Sequence, residues 1–120
     1  MINIKEKLLL MPLSIKDWQH KVFAEQQYLT DIENRKKDLE NATYSKVHNE
    51  KVEGKAMFSN DKLRDIETDK RLRHDKDYIS LLAEQHKVEL KLHEAKISLE
   101  YVQNEFKAVV YLIRLLEVEK

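Results

Sequence analysis

The sequence predicts an all-α protein: a helical hairpin whose long, heptad-patterned C-terminal helix joins other copies in an oligomeric bundle. Three observations predict it. The 120-residue chain holds one glycine and one proline, it is 37% charged against 42% hydrophobic, and its apolar residues recur at helical spacing. So few glycines and prolines leave almost no turn chemistry for many short strands or for alternating strands and helices. The composition is too polar to enclose a large core within one chain, so part of the burial is expected from further copies.

The elements follow in order. Residues 1–13 read as a short apolar N-terminal arm, which Pro12 should interrupt because it lacks a backbone donor and crowds the preceding turn. The run Leu8-Leu9-Leu10-Met11 imitates the core of a signal peptide, but it is short and is followed by Pro12, Lys16 and Asp17, so it reads as structure. Ser14, with Asp17 three residues on, resembles an N-cap, and a first long helix is expected over 14–52. Ile15, Trp18, Val22, Leu29, Ile32 and Leu39 make its stripe, which fades where Lys36, Thr43 and Lys46 take later seam positions.

The only glycine, Gly54, marks a loop over 53–60, and Ser59-Asn60-Asp61 offers the next N-cap. A second, oligomerising helix is then expected to run unbroken over 61–120. From Tyr78, Leu81, Gln85 and Val88 through Leu92 and Ala95, the a and d positions continue as Leu99, Val102, Phe106, Val109, Ile113 and Leu116. That repeat is the pattern of a left-handed coiled coil, in which a polar residue such as Gln85 sets register. The last six are the candidate oligomerisation residues. Near the end Ala108, Val110, Tyr111, Leu112, Leu115 and Val118 widen the stripe, and a helix apolar nearly all round must be covered on several sides. Either three or more copies meet there, or the N-terminal arm folds back over it within one chain.

Chemistry has no visible home in the sequence. There are no cysteines, which excludes disulfides, thiolate metal sites and a cysteine nucleophile. His86 and His93 lie seven residues apart, a spacing that builds no tetrahedral site, so no metal and no cofactor is expected. One glycine permits no phosphate-binding loop, and no serine has a nucleophile elbow, so the chain does not read as an enzyme. Nor does any run approach the ~20 apolar residues that span a bilayer, and no membrane partner is expected.

Nucleic acid is neither demanded nor excluded by charge, since Lys+Arg and Asp+Glu both number 22. Within 61–77, Lys62, Arg64, Lys70, Arg71, Arg73 and Lys76 alternate with six acids; this could present one basic face, yet alternation is also what an exposed helix ordinarily shows. A second basic source lies around the loop. Lys36, Lys37, Lys46, Lys51 and Lys55 are the candidate phosphate contacts, with Tyr44 as a stacking platform for a base. Repetition over several subunits would turn weak contacts into tight, salt-sensitive binding.

The segment Phe58-Ser59-Asn60-Asp61-Lys62, with Glu67, Leu72 and Asp75-Lys76-Asp77, resembles the UvsY family of recombination mediators from T-even phages. Agreement continues through Leu99 and Ala108, and a basic helix precedes the glycine-containing loop as in that family. The resemblance implies a small helical protein that closes into an oligomer through its C-terminal helix and binds single-stranded DNA. It also implies displacement of single-strand-binding protein in favour of a RecA-like recombinase, in the cytoplasm of a bacterial host. The family's Lys-x-Arg contact aligns, with a one-residue shift, to Tyr44-Ser45-Lys46, so Lys46 takes the arginine's place and the lysine is missing. The alternative is a coiled-coil assembly factor or helical chaperone for another protein, with no nucleic acid role.

Overall fold

In the computed structural model, which describes residues 4–118, the chain is all-α apart from one two-stranded hairpin. Helix α1 spans Ile4–Asn49, strands β1 and β2 span Lys51–Val52 and Lys55–Ala56, helix α2 spans Asp61–Arg73, and helix α3 spans Lys76–Val118. Residues 1–3 of the expected arm and 119–120 of the expected last helix lie outside the described residues. None of the described helices is long and apolar enough to cross a membrane.

The first correction concerns the N-terminus. No separate arm precedes Ser14: α1 begins by Ile4 and runs through Pro12, and Ser14 lies half-buried inside it rather than capping it. Proline removes one helical hydrogen bond and clashes with the turn before it, so the flanking burial must offset that strain. Met11 is buried and Leu8 and Ile15 are half-buried, while Pro12 itself faces solvent. These residues extend the stripe of α1 backward at the same three–four spacing.

Two compact units share the long helices. The first combines Met1–Gln27 with Glu89–Lys120, and the second is Tyr28–Val88. In the first, Trp18, Lys21 and Glu25 of α1 line one groove with Lys91, Glu94, Ala95 and Ser98 of α3. Met11, Leu92, Ala95 and Val109 are its buried apolar residues. Val109 is thus buried within a unit made of these two segments.

In the second unit α1 and α3 are antiparallel, since Tyr28 donates to Glu84 and Tyr78 donates to Glu40 at 3.0 Å. The seam here is Leu29 and Ile32 against Val88, and Ile32 has no exposed surface. At Lys36 and Gln85, polar seam positions of both helices, the Lys36 ammonium donates to Gln85 Oε1 at 2.9 Å. It also lies 6.0 Å above the Tyr78 ring. Gln85 thus does face a specific seam partner, as a register-setting residue would.

The second correction is a break in the expected 61–120 helix. The chain turns at His74 and Asp75, whose backbone donors still reach Arg71 O and Leu72 O at 3.2 and 3.1 Å. A new helix then starts on a cap, because Asp75 Oδ1 accepts from the backbone N–H groups of Asp77 at 2.8 Å and Tyr78 at 3.1 Å. Stepping the α3 seam backward from Tyr78 gives His74, Arg71 and Glu67, all polar, so nothing apolar holds the helix straight. Instead α2 buries Thr68 and Leu72, and fully buried Val47 of α1 belongs to the same unit. The start of α2 is as expected: Asn60 Oδ1 accepts from Leu63 N at 2.9 Å.

Candidate nucleic-acid interface

The expected loop over 53–60 is in part a hairpin, and α1 stops at Asn49 rather than at residue 52. Lys51 pairs with Ala56 and Val52 with Lys55, and Met57 N donates to Glu50 O at 2.9 Å at its base. The turn is Glu53-Gly54, with φ of 53° and 78°. Two central residues at positive φ match the right-handed twist of the strands, and the glycine adopts this conformation without a Cβ penalty. Directly paired residues share a face of the ribbon, so Lys51 and Lys55 emerge on opposite faces.

Arg71 ties α2 to the hairpin base. Its guanidinium donates to both oxygens of Glu50, at 2.7 and 2.6 Å, and to Glu67 at 3.0 Å. The charge-assisted bonds from Arg71 hold the Glu50 carboxyl below its ordinary range. A depressed folded pKa adds stability above the unfolded value, about 4.3 for glutamate, and that contribution disappears as pH falls through the folded value. Glu50→Gln should therefore melt earlier than the wild type at neutral pH and converge with it in acid. Coincident melting temperatures from about pH 3, below the unfolded glutamate pKa, to about pH 7 would show instead that the pair contributes nothing.

The sequence-predicted site residues separate into two sets. Lys46, Lys51 and Lys55 are all exposed around the hairpin, together with Val52 and Met57. Lys37 is exposed farther back on α1. Lys36 is half-buried and engaged by Gln85, which withdraws it from a phosphate-binding surface. Tyr44 is half-buried, donates to Asp61 Oδ1 at 3.4 Å, and stacks its ring on His48 with centroids 6.3 Å apart. One of its faces is thus already occupied.

On α2 the alternating charges pair along the helix, with Arg64 to Asp61, Arg71 to Glu67 and Arg73 to Asp69 at 3.2, 3.0 and 2.8 Å. The ordinary reading of that stretch as a solvated helix accounts for these three arginines. A recess lined by Glu40, Asp65, Asp69 and Tyr78 is acidic, and burial, reinforced by Glu40, raises the Tyr78 hydroxyl above its ordinary pKa. Its sign opposes a phosphate. Among the described residues, no group of three or more histidine or carboxylate side chains could hold a metal ion.

The candidate oligomerisation residues also divide. Leu99, Val102, Phe106 and Ile113 are half-buried and Val109 is buried within the unit that α3 forms with α1, whereas Leu116 is 53% exposed. The first five are therefore at least half-buried within one chain. Sequence reasoning missed Val47, because the heptad count put Lys46 on the seam; the signal was the apolar residue one step later, displaced where α2 rather than α3 is the neighbour. It also missed the Asp75 cap, whose signal was an aspartate three residues before an apolar stripe begins. Compared with known proteins, the chain matches no family model, no curated protein and no solved structure.

Proposed function

We propose that this protein is a non-enzymatic accessory of recombination, which binds single-stranded DNA and helps a RecA-like recombinase replace single-strand-binding protein. One observation carries the reading: the hairpin end exposes Lys46, Lys51 and Lys55 beside Val52 and Met57, while the adjacent carboxylate Glu50 is taken up by Arg71. The cations suit phosphates, and the apolar side chains offer bases a non-specific surface. A single tip with three such lysines binds weakly, so the function requires an assembly of several copies, which multiplies the contacts.

Replacing Lys46, Lys51 and Lys55 together by alanine tests the site. Removing about three phosphate contacts should flatten the log–log salt slope for single-stranded DNA by about 2 and weaken binding at least about tenfold at low salt. Helicity and assembly mass should stay the same. Fluorescence anisotropy of labelled strands reads both quantities, and an unchanged slope rejects the hairpin as the DNA site.

A second reading, a helical assembly factor for another protein with no nucleic acid role, is favoured by Leu9, Leu10 and Leu13, which are 53–68% exposed on α1. Absence of DNA binding at low salt by the intact protein would select it.

A further inference from the structure

Helix α3 carries two heptad stripes, and α1 covers only one. Counting back along the other face, positions 90, 94, 97, 101, 104, 108, 111, 115 and 118 alternate steps of four and three. Leu90, Ile97, Tyr101, Tyr111, Leu115 and Val118 on this stripe are 43–83% exposed. Ala108 adds a small exposed residue, and Glu94 and Asn104 are its polar interruptions. Of the equivalent outer positions of α1 after Leu13, Asp17, His20 and Gln27 are polar and Ala24 is small, although Phe23 beside them is exposed. A repeat maintained over four heptads of α3 is a seam with no neighbour among the described residues.

We propose that a second copy of the chain occupies this stripe, its α3 lying antiparallel to the first about a two-fold axis. Charge complementarity selects both the occupant and the direction. In the antiparallel arrangement centred between residues 102 and 103, Glu100 of each copy flanks Lys107 of the other, so one attraction is made twice. The parallel in-register arrangement would set Glu100 against Glu105 on both sides. The antiparallel layers from 90 to 115 also match in kind: Leu90 meets Leu115, Ile97 meets Ala108, Tyr101 meets Asn104, and the Tyr111 hydroxyl meets the Glu94 carboxylate, while Val118 lies beyond the last layer opposite Lys87. Each polar interruption thus faces a phenol that can hydrogen-bond to it.

This pairing rests on the self-assembly required by the proposed function and not on DNA. It is the unit from which the larger assembly is built, so copies come in even numbers. Light scattering and sedimentation equilibrium of the full chain, without DNA, test it. The wild type should associate into an even number of chains, and Ile97→Asp with Leu115→Asp should reduce the pair to single chains while helicity is kept, because both side chains are exposed. Glu100→Lys and Lys107→Glu should each raise the dissociation constant about tenfold, since two symmetric exposed pairs turn repulsive. The double exchange E100K/K107E should restore it.

An odd number of chains, a monomer at all concentrations, or tighter association of E100K would overturn the antiparallel pair. So would full association of I97D/L115D. Loss of DNA binding on neutralising the hairpin lysines, with mass unchanged, leaves the pairing intact and separates its failure from failure of the DNA site.

Discussion

Aspartate in place of Ile32 should unfold the unit Tyr28–Val88 under conditions where the wild type is native. Ile32 has no exposed surface and sits with Leu29 on the face of α1 that meets α3. A carboxylate there has no partner, and burying one costs several kcal/mol even after it takes up a proton. Domains of this size are stable by only about 5–15 kcal/mol. Ile32→Ala separates size from charge: it removes apolar contacts alone and should cost about 2–4 kcal/mol. Urea titration followed by circular dichroism should show a lower midpoint at unchanged slope for the alanine variant, and no native baseline for the aspartate. Equal midpoints for all three proteins would place Ile32 outside the core.

The second large effect concerns the polar seam. Lys36 and Gln85 share a 2.9 Å hydrogen bond in a half-buried seam that is otherwise mostly apolar. Replacing both by leucine should raise stability by about 1 kcal/mol, the low end of what exchange of a fully buried ion pair for packed apolar residues gives, because both side chains are only half-buried. Either leucine alone should stabilise less or destabilise, because the remaining polar group keeps its desolvation cost and loses this bond. The doubly substituted protein should also lose uniqueness of register, since leucine fits any neighbouring layer. Thermal melting reads the first effect, and spin-label distances between α1 and α3 read the second. A destabilised double variant with one sharp distance would mean that the pair contributes net stability and no specificity.

These two sites differ in how far the sequence reveals them. Ile32 falls on a stripe visible from three–four spacing, so its burial was expected. Gln85 was expected to set register, but its partner was not: Lys36 read as a phosphate contact, because a lysine in a basic run looks the same whether its ammonium faces water or a glutamine across a seam. The hairpin lysines Lys46, Lys51 and Lys55 were legible as exposed cations near the only glycine. The division of Lys51 and Lys55 between opposite ribbon faces followed only from the pairing of Lys51 with Ala56 and Val52 with Lys55.

What the sequence by itself determined was local. Helical class, the α3 seam and the Asn60 cap of α2 all depend on residues within a few turns of one another, and spacing records them directly. Only the tertiary structure decided what lies far apart in the chain. It showed that the helix breaks at Asp75 so that α2 can bury Leu72, that Val47 rather than Lys46 faces inward, and that α1 starts by Ile4 and runs through Pro12. It also placed Leu99 to Ile113 in one unit with the first part of α1. Heptads state that a face must be buried but not by whom, and a segment of the same chain competes at a high effective concentration set by the connection between the helices. In the unit that α3 forms with α1, Leu99, Val102, Phe106 and Ile113 are only half-buried, which leaves surface on them for other copies.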